Sequence, residues 1–464
     1  MVLTTSHLIG IVATLVVITG VGIYAGSKVK SAADFSVGGR KAGSGVVAGT
    51  IMGTLVGGAS TIGTAQLAFQ FGLSAWWFCL GAGIACGVLG IGLVRRLHES
   101  TVETIPQYLT RTYGSASGPI SSIFSSIGIF FNIIAQLLAF VAILTSMFAI
   151  GPLPAACIGV LLVLVYVMFG GLWGTGLVGV VKLLLLYVCA IACGWVAYSM
   201  VGGASGLMAK FPSQPWFSLF GRGVDKDLAA GFSLLVGVIS TQTYIQAVAS
   251  GRNVGEARKG AFISAIFIPP VGIGSILVGL YMKSAFPEAH SAEVFPMFVM
   301  KFLPPWLAGI ILATLLVAVI GTWAGLSLGI STMVTKDIYK KFFRKQAGDR
   351  ETLTVQRVMI LAVCVLSVVF AQGKSGSLIL GWSFLSMGLR GCTVFFPLLG
   401  AMFFPRFVSP IAGVAATLLG PLACLLWYAF YPKGLDPLYP GLVVSLLTLI
   451  LVSMFTAKTD VAKP

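Results

Sequence analysis

GSGVVAGTIMGTLVGGASTIGTAQLAFQFG, residues 43–72, is apolar enough to enter a membrane yet holds eight glycines and six serines or threonines. Each glycine costs about 1 kcal/mol against alanine in a helix, so a plain lipid-facing span gains nothing from them. Two uses remain: close packing of small faces against other helices, or a helix that unwinds in mid-membrane and offers backbone groups to a solute or ion. Non-helical backbone survives at that depth only where it is buried in protein or lines a cavity. The glycine density puts the break over 53–60 and makes the rest of the chain scaffolding around it.

The bulk numbers agree with a membrane location. The chain has 464 residues, 57% hydrophobic and 9% charged, with a mean hydropathy of +1.00. Such values belong to polytopic membrane proteins rather than soluble ones. The net charge of +16 does not call for nucleic acid, because the positive residues sit in short loops between apolar runs. Cysteines are scattered, mostly within those runs (Cys86, Cys157, Cys189, Cys193, Cys364, Cys424), with no CxxC pair or histidine cluster to suggest disulfides or a metal. The first apolar run, 8–25, lacks a basic leader and a cleavage site and is expected to stay as a span.

Apolar runs of spanning length occur at 6–27, 44–72, 75–95, 117–150, 153–175, 177–201, 228–250, 260–284, 304–334, 354–372, 376–403, 408–430 and 440–456. The expectation is an all-α protein of about thirteen transmembrane helices, forming one membrane domain over 1–464. With the N-terminus outside, the inner loops carry 20 of the lysines and arginines and the outer loops seven. The positive-inside rule then puts the C-terminus in the cytoplasm, in a plasma or inner membrane. Residues 202–227 form the longest outer loop, and 336–351 carries the helix before it into water.

In order and spacing the chain resembles the solute:sodium symporter family over essentially its full length. The matching residues are DFSVGGRKAG (34–43), GASTIGTAQLAFQFGLSAWW (58–77), GGLWG (170–174), QAVASGRNVGEARKGA (246–261) and TKDIYKKF (335–342). The resemblance implies a LeuT-type core of two inverted five-helix repeats, here 44–201 and 228–403, with core helices 1 and 6 broken. Span 6–27 would precede the core and two spans, 408–456, would follow it. It also implies a sodium ion where the first core helix meets the eighth, held by the carbonyls of Gly53 and Val56 and by Ala318, Gly321 and Thr322. Two departures stand out. Gly321 replaces the usual serine, removing one oxygen ligand. On the fifth core helix, where the family usually has an acidic residue and then a glutamine, this chain has Gly179 and Lys182.

None of the thirteen acidic residues lies deep in a span, but two cations do, Lys182 and Arg390. A cation at the bilayer centre costs about 2.5–3.5 kcal/mol on insertion scales. Lys182 lies six residues after Gly176, about 9 Å of helix. Its stem could snorkel to the cytoplasm, or its ammonium could fill the gap left by Gly321 and cycle protons instead of admitting sodium. Arg390 is too far in to snorkel easily; it either donates to carbonyls at a helix break beside Gly388 and Gly391 or meets an anionic solute.

Other polar residues line the presumed path: Thr54, Gly57 and Ser60 at the first break, Asn132 and Gln136 one turn apart on the third core helix, and Ser240, Thr241 and Gln242 in the polar middle of the sixth. Each is equally well read as an interhelical hydrogen bond. Trp76 and Trp77 read as interfacial anchors. The three histidines, His7, His98 and His290, all lie near loops, and no nucleophile–base or metal constellation points to an enzyme. The reading is a secondary transporter: cation-coupled, most simply sodium-coupled, symport of a small carboxylate or amino acid by alternating access. A proton-coupled or uncoupled transporter with Lys182 in place of sodium, and a non-transporting sensor, are the alternatives.

Overall fold

The structure is a computed structural model that describes residues 4–27, 40–148, 150–373, 377–431 and 434–456, with only the backbone at 25–26 and 167–175. Residues 34–39 of the first family motif, the GGLWG side chains, and Lys28, Lys30, Lys374, Lys433, Lys458 and Lys463 lie outside the described residues. The described residues are helical throughout. Their one pairing of extended backbone is a parallel bridge between Ala42 and Gly251.

Among the described residues ten helices are long and apolar enough to cross a membrane, or eleven when the bent pair Val224–Ile239 and Gln242–Ser250, which meet at 47°, is counted as one span. Two shorter apolar helices, Ser44–Leu55 and Pro152–Tyr166, complete the set. The thirteen expected spans do not map one to one, for a physical reason. Helical hydrogen bonding runs on through one expected connection, so 153–175 and 177–201 fall in a single 50-residue element, Pro152–Val201. That is about 75 Å of helix, roughly twice a bilayer. The glycines of 170–176 weaken a helix but do not end it, and no proline follows them. By contrast the helix Thr64–Phe71 ends at Gly72, which takes φ +68°, ψ −131°, and the chain then continues through the 3-10 turn Gly72–Trp76 into Trp77–Val88.

Both expected breaks are present. The first helix ends at Leu55, and Val56 is extended at φ −91°, ψ 99°. Helical backbone resumes as a π turn at Ala59–Gly63 and an α-helix at Thr64–Phe71. The unwound stretch is therefore 56–58, narrower than the 53–60 expected. The second break falls at Ser240 and Thr241 (φ −97°, ψ 121°). The two broken helices are tied at one end: Ala42 N–H donates to Ser250 O at 3.0 Å, Arg252 N–H to Ala42 O at 2.9 Å, and Ser44 N–H to the Glu256 carboxylate at 2.6 Å.

The loop 202–227 carries short helices at Gly203–Lys210 and Ser213–Trp216. Trp77 Nε1 donates to Leu219 O at 2.6 Å and Trp76 Nε1 to Pro269 O at 2.9 Å. These indoles clamp backbone inside the protein, rather than serving only as anchors at the lipid interface.

The segment Gly176–Val201 shows how the core is oriented. Leu184, Val188, Ile191 and Trp195 are exposed along one stripe, while Leu186, Cys189, Cys193 and Ala197 are buried on the other. Lipid is as apolar as leucine, so helices meet here through small residues that let backbones approach. A Cβ on Gly179 would lie 2.1 Å from Gly49 O and 3.1 Å from Gly53 Cα; one on Gly49 would lie 2.4 Å from Gly176 O. Gly179 is thus what lets this helix reach the first break. Gly179→Val is expected to lower the melting temperature of the detergent-solubilised protein, by a loss of about 1–3 kcal/mol. A variant as stable as the parent would show that the interface has room.

Candidate functional site

Unwinding at 56–58 frees backbone groups that the neighbouring side chains take up. Gly57 O accepts from both Ser60 Oγ and Thr61 Oγ1 at 2.9 Å. Gly58 N–H donates to Gln136 Oε1 at 2.8 Å. Gln136 Nε2 donates to Asn132 Oδ1 at 3.2 Å, and Ser383 Oγ donates to the same oxygen at 3.2 Å. A Cβ on Gly57 would fall 2.3 Å from Thr322 Oγ1 and 2.8 Å from Gln136 Oε1. Glycine is required there for close approach. Thr54 Oγ1 donates to Thr50 O on its own helix at 2.9 Å.

Among the other carbonyls at this break are the two that the family resemblance picks out. Gly53 O and Val56 O face the helix Pro305–Met333, where Thr322 Oγ1 lies 3.3 and 3.4 Å from them. Into this junction comes Lys182. Its Nζ donates to Gly53 O at 2.6 Å, to Ala318 O at 2.9 Å and to Thr322 Oγ1 at 3.1 Å. An ammonium has three N–H donors, and three oxygens receive them. Lys182 is 1% exposed, so its stem does not snorkel to the surface. No carboxylate among the described residues hydrogen-bonds to it.

The oxygens named for sodium are therefore brought together, but they do not fit a free sodium ion alongside this side chain. Four of the five expected ligand positions carry an oxygen facing the junction, while Gly321 supplies no hydroxyl. Two unit charges of one sign at about 4 Å repel by about 4 kcal/mol at an effective dielectric near 20. A Cβ on Gly321 would lie 3.6 Å from both Lys182 Nζ and Tyr166 Oη, ordinary contact distances. The missing serine is not demanded by packing.

The second break carries the other buried cation. Arg390, on the helix Ile379–Phe403, is fully buried. Its Nη1 donates to Thr241 Oγ1 at 2.7 Å, its Nη2 to Ser386 Oγ at 2.8 Å, and its Nε to Ser386 O at 3.0 Å. Thr241 in turn donates to Gly237 O, which also accepts from Ser240 N–H at 3.2 Å. Ser240 Oγ is buried with no hydrogen-bond partner. Gln242 is placed differently from expectation: both ends of its amide hold backbone at 103–105, with Nε2 donating to Glu103 O at 2.8 Å and Oε1 accepting from Ile105 N–H at 3.0 Å. Each end of the amide is thus engaged with backbone of that loop.

Of the expected residues, Gly53, Val56, Ala318, Gly321, Thr322 and Lys182 converge on one junction, and Ser240, Thr241 and Arg390 on a second. Asn132 and Gln136 bridge the first break to the helix carrying Arg390. Sequence reasoning missed Tyr244, whose buried Oη has no partner and whose N–H donates to Thr241 O at 3.1 Å. Its place three residues beyond Thr241 was the available signal. It also missed Tyr166.

Comparisons with known proteins bear on this arrangement. The model of the sodium:solute symporter family matches residues 35–418. The osmoregulated proline transporter OpuE of Bacillus subtilis is 22% identical, covering 94% of this chain and 92% of its own length. The high-affinity choline transporter 1 of Drosophila melanogaster is 26% identical, over 97% and 78%. Among solved structures, a Na+-coupled sialic acid symporter in a substrate-bound outward-open state superposes with a TM-score of 0.81 at 17% identity, covering 98% of this chain and 99% of that one. A nucleobase-cation-symport-1 family transporter in a closed conformation reaches 0.57 at 12% identity, over 90% and 92%. The structural likeness speaks for a LeuT-type fold, the family match covers most of the sequence, and the chain belongs to the sodium:solute symporter family.

Proposed function

We propose that this symporter-family chain moves a small anionic or zwitterionic organic solute across the cell membrane, with its own Lys182 standing where the family places sodium. The observation that carries the reading is the set of three hydrogen bonds from Lys182 Nζ to Gly53 O, Ala318 O and Thr322 Oγ1. A tethered cation supplies the charge that joins the first broken helix to the helix Pro305–Met333. The solute then crosses without sodium at this junction, driven by a proton gradient or by its own. Alternating access is the rocking of one helix bundle against another about the two breaks. In this reading the repeats are 44–201 and 228–403, the N-terminus is outside and the C-terminus cytoplasmic.

A sodium-coupled reading has its own support. The Thr322 hydroxyl still faces the carbonyls of Gly53 and Val56, so a lysine that swung away would leave most of the ion's oxygens in place.

Proline and choline, carried by relatives, are the first solutes to test in proteoliposomes, followed by small carboxylates. Uptake by the parent is expected to be the same in sodium and in potassium media. An imposed pH gradient separates proton-driven from uncoupled movement. The double variant Lys182→Ala with Gly321→Ser is expected to become sodium-dependent, by about tenfold or more, the scale of one charge-assisted contact. Sodium-stimulated uptake by the parent, unchanged in Lys182→Gln, would overturn the reading.

Removing the strap on the 103–105 loop gives a separate test of rocking. Gln242→Ala is expected to raise the labelling of a cysteine introduced at Ile105 by a membrane-impermeant thiol reagent applied from the Lys/Arg-rich side, relative to the same cysteine in the parent. Unchanged labelling would show that this strap does not hold the loop closed.

A further inference from the structure

The two buried cations are satisfied to different degrees. Every N–H of the Lys182 ammonium has an oxygen. Arg390 has five N–H donors and meets three oxygen contacts, all neutral: Thr241 Oγ1, Ser386 Oγ and Ser386 O. Its fourth contact is the Met387 thioether at 3.2 Å, a weak acceptor. Among the described residues no carboxylate forms an ion pair with it. A guanidinium prefers planar, two-point partners such as carboxylates, and here that partner is missing at the depth where an uncompensated cation is most costly.

Two further polar groups at this break lack partners. Ser240 Oγ and Tyr244 Oη are both buried and unbonded, and they flank Thr241, which already holds Arg390 Nη1. Tyr244 is tied to the same residue through its backbone, its N–H donating to Thr241 O at 3.1 Å. Arg390 brings positive charge with donors to spare, and both hydroxyls can donate. What is absent is an acceptor with negative charge. Buried polar groups are ordinarily paired, and an exception calls for an explanation.

We propose that Arg390, together with Tyr244 and Ser240, receives the carboxylate of the transported solute at the break of the second broken helix. This rests on the reading of the chain as a carrier of small solutes and names the chemical class carried. The carboxylate would take the free guanidinium N–H, compete with the thioether for Nη2, and accept from the Tyr244 and Ser240 hydroxyls. Thr241 and Ser386 then act as positioning residues that hold the guanidinium in the plane the ligand meets.

The test is equilibrium binding to the purified protein at fixed pH and fixed sodium, with no gradient. Matched pairs are titrated: L-proline and L-prolinamide, propionate and propionamide, lactate and lactamide, succinate and succinamide. At least one acid is expected to bind the parent at least about tenfold better than its amide. Tyr244→Phe is expected to weaken that acid about tenfold and leave the amide unchanged, and Arg390→Gln to abolish the discrimination. Equal binding of acid and amide, no binding by any acid, or discrimination that survives in Tyr244→Phe and Ser240→Ala would each overturn the proposal. Those two variants keep the test open if Arg390→Gln does not fold. Because no ion gradient is involved, a sodium-driven uptake result would remove the Lys182 reading and leave this binding result standing.

Discussion

Three hydrogen bonds from one ammonium hold together the parts of this bundle that helical hydrogen bonding cannot. Where the first broken helix unwinds, the carbonyls of Gly53 and Val56 lose their helical partners, and in a membrane no water is at hand to replace them. Lys182 Nζ meets Gly53 O, while Ala318 O and Thr322 Oγ1 complete its shell from the facing helix. A hydrogen bond to a charged group contributes about 1.5–3 kcal/mol, which sets three of them against the cost of burying a cation. The same contacts join the helix Ser44–Leu55 to Pro305–Met333, so the charge that fills the junction also sets how the two helices sit.

This arrangement depends on glycine elsewhere. Gly49, Gly176 and Gly179 let the lysine-bearing helix lie against the first broken helix with backbone touching backbone. An acidic side chain at 179, the family's usual residue type, would have to displace Gly49 O. With no side chain at 179 the helix lies against Gly49, and Lys182 one turn later reaches the junction. Gln136 serves the first break by pairing Gly58 N–H; at the second, Thr241 donates to Gly237 O and Arg390 holds the Thr241 hydroxyl.

Much of this was legible in the sequence. Glycine density located the first break, and the polar run at 240–242 located the second, because both signals arise from local backbone chemistry. The missing hydroxyl at Gly321 and the intruding amine at Lys182 could be read against the family pattern. Whether that amine pointed outward or inward could not, since about 9 Å of stem-bearing helix allows either and helix rotation decides it. Gln242 illustrates the same limit. Its place beside the break suggested a solute contact, yet the bend turns it toward the 103–105 loop. Tyr244 was overlooked for the converse reason, since a tyrosine in an apolar span reads as core until the bend shows its hydroxyl unpaired. The helix count blurred where apolar residues run through a connection, because hydropathy registers composition and not where hydrogen bonding stops.

On the proposed reading, Lys182 takes the place of sodium in this symporter-family chain. Equilibrium binding of radiolabelled sodium to the purified protein tests it most directly, with Lys182→Ala/Gly321→Ser and Thr322→Ala measured alongside. The account predicts no saturable sodium binding that depends on Thr322 in the parent, and one added site per chain in the double variant. Saturable binding in the parent that Thr322→Ala removes would contradict it.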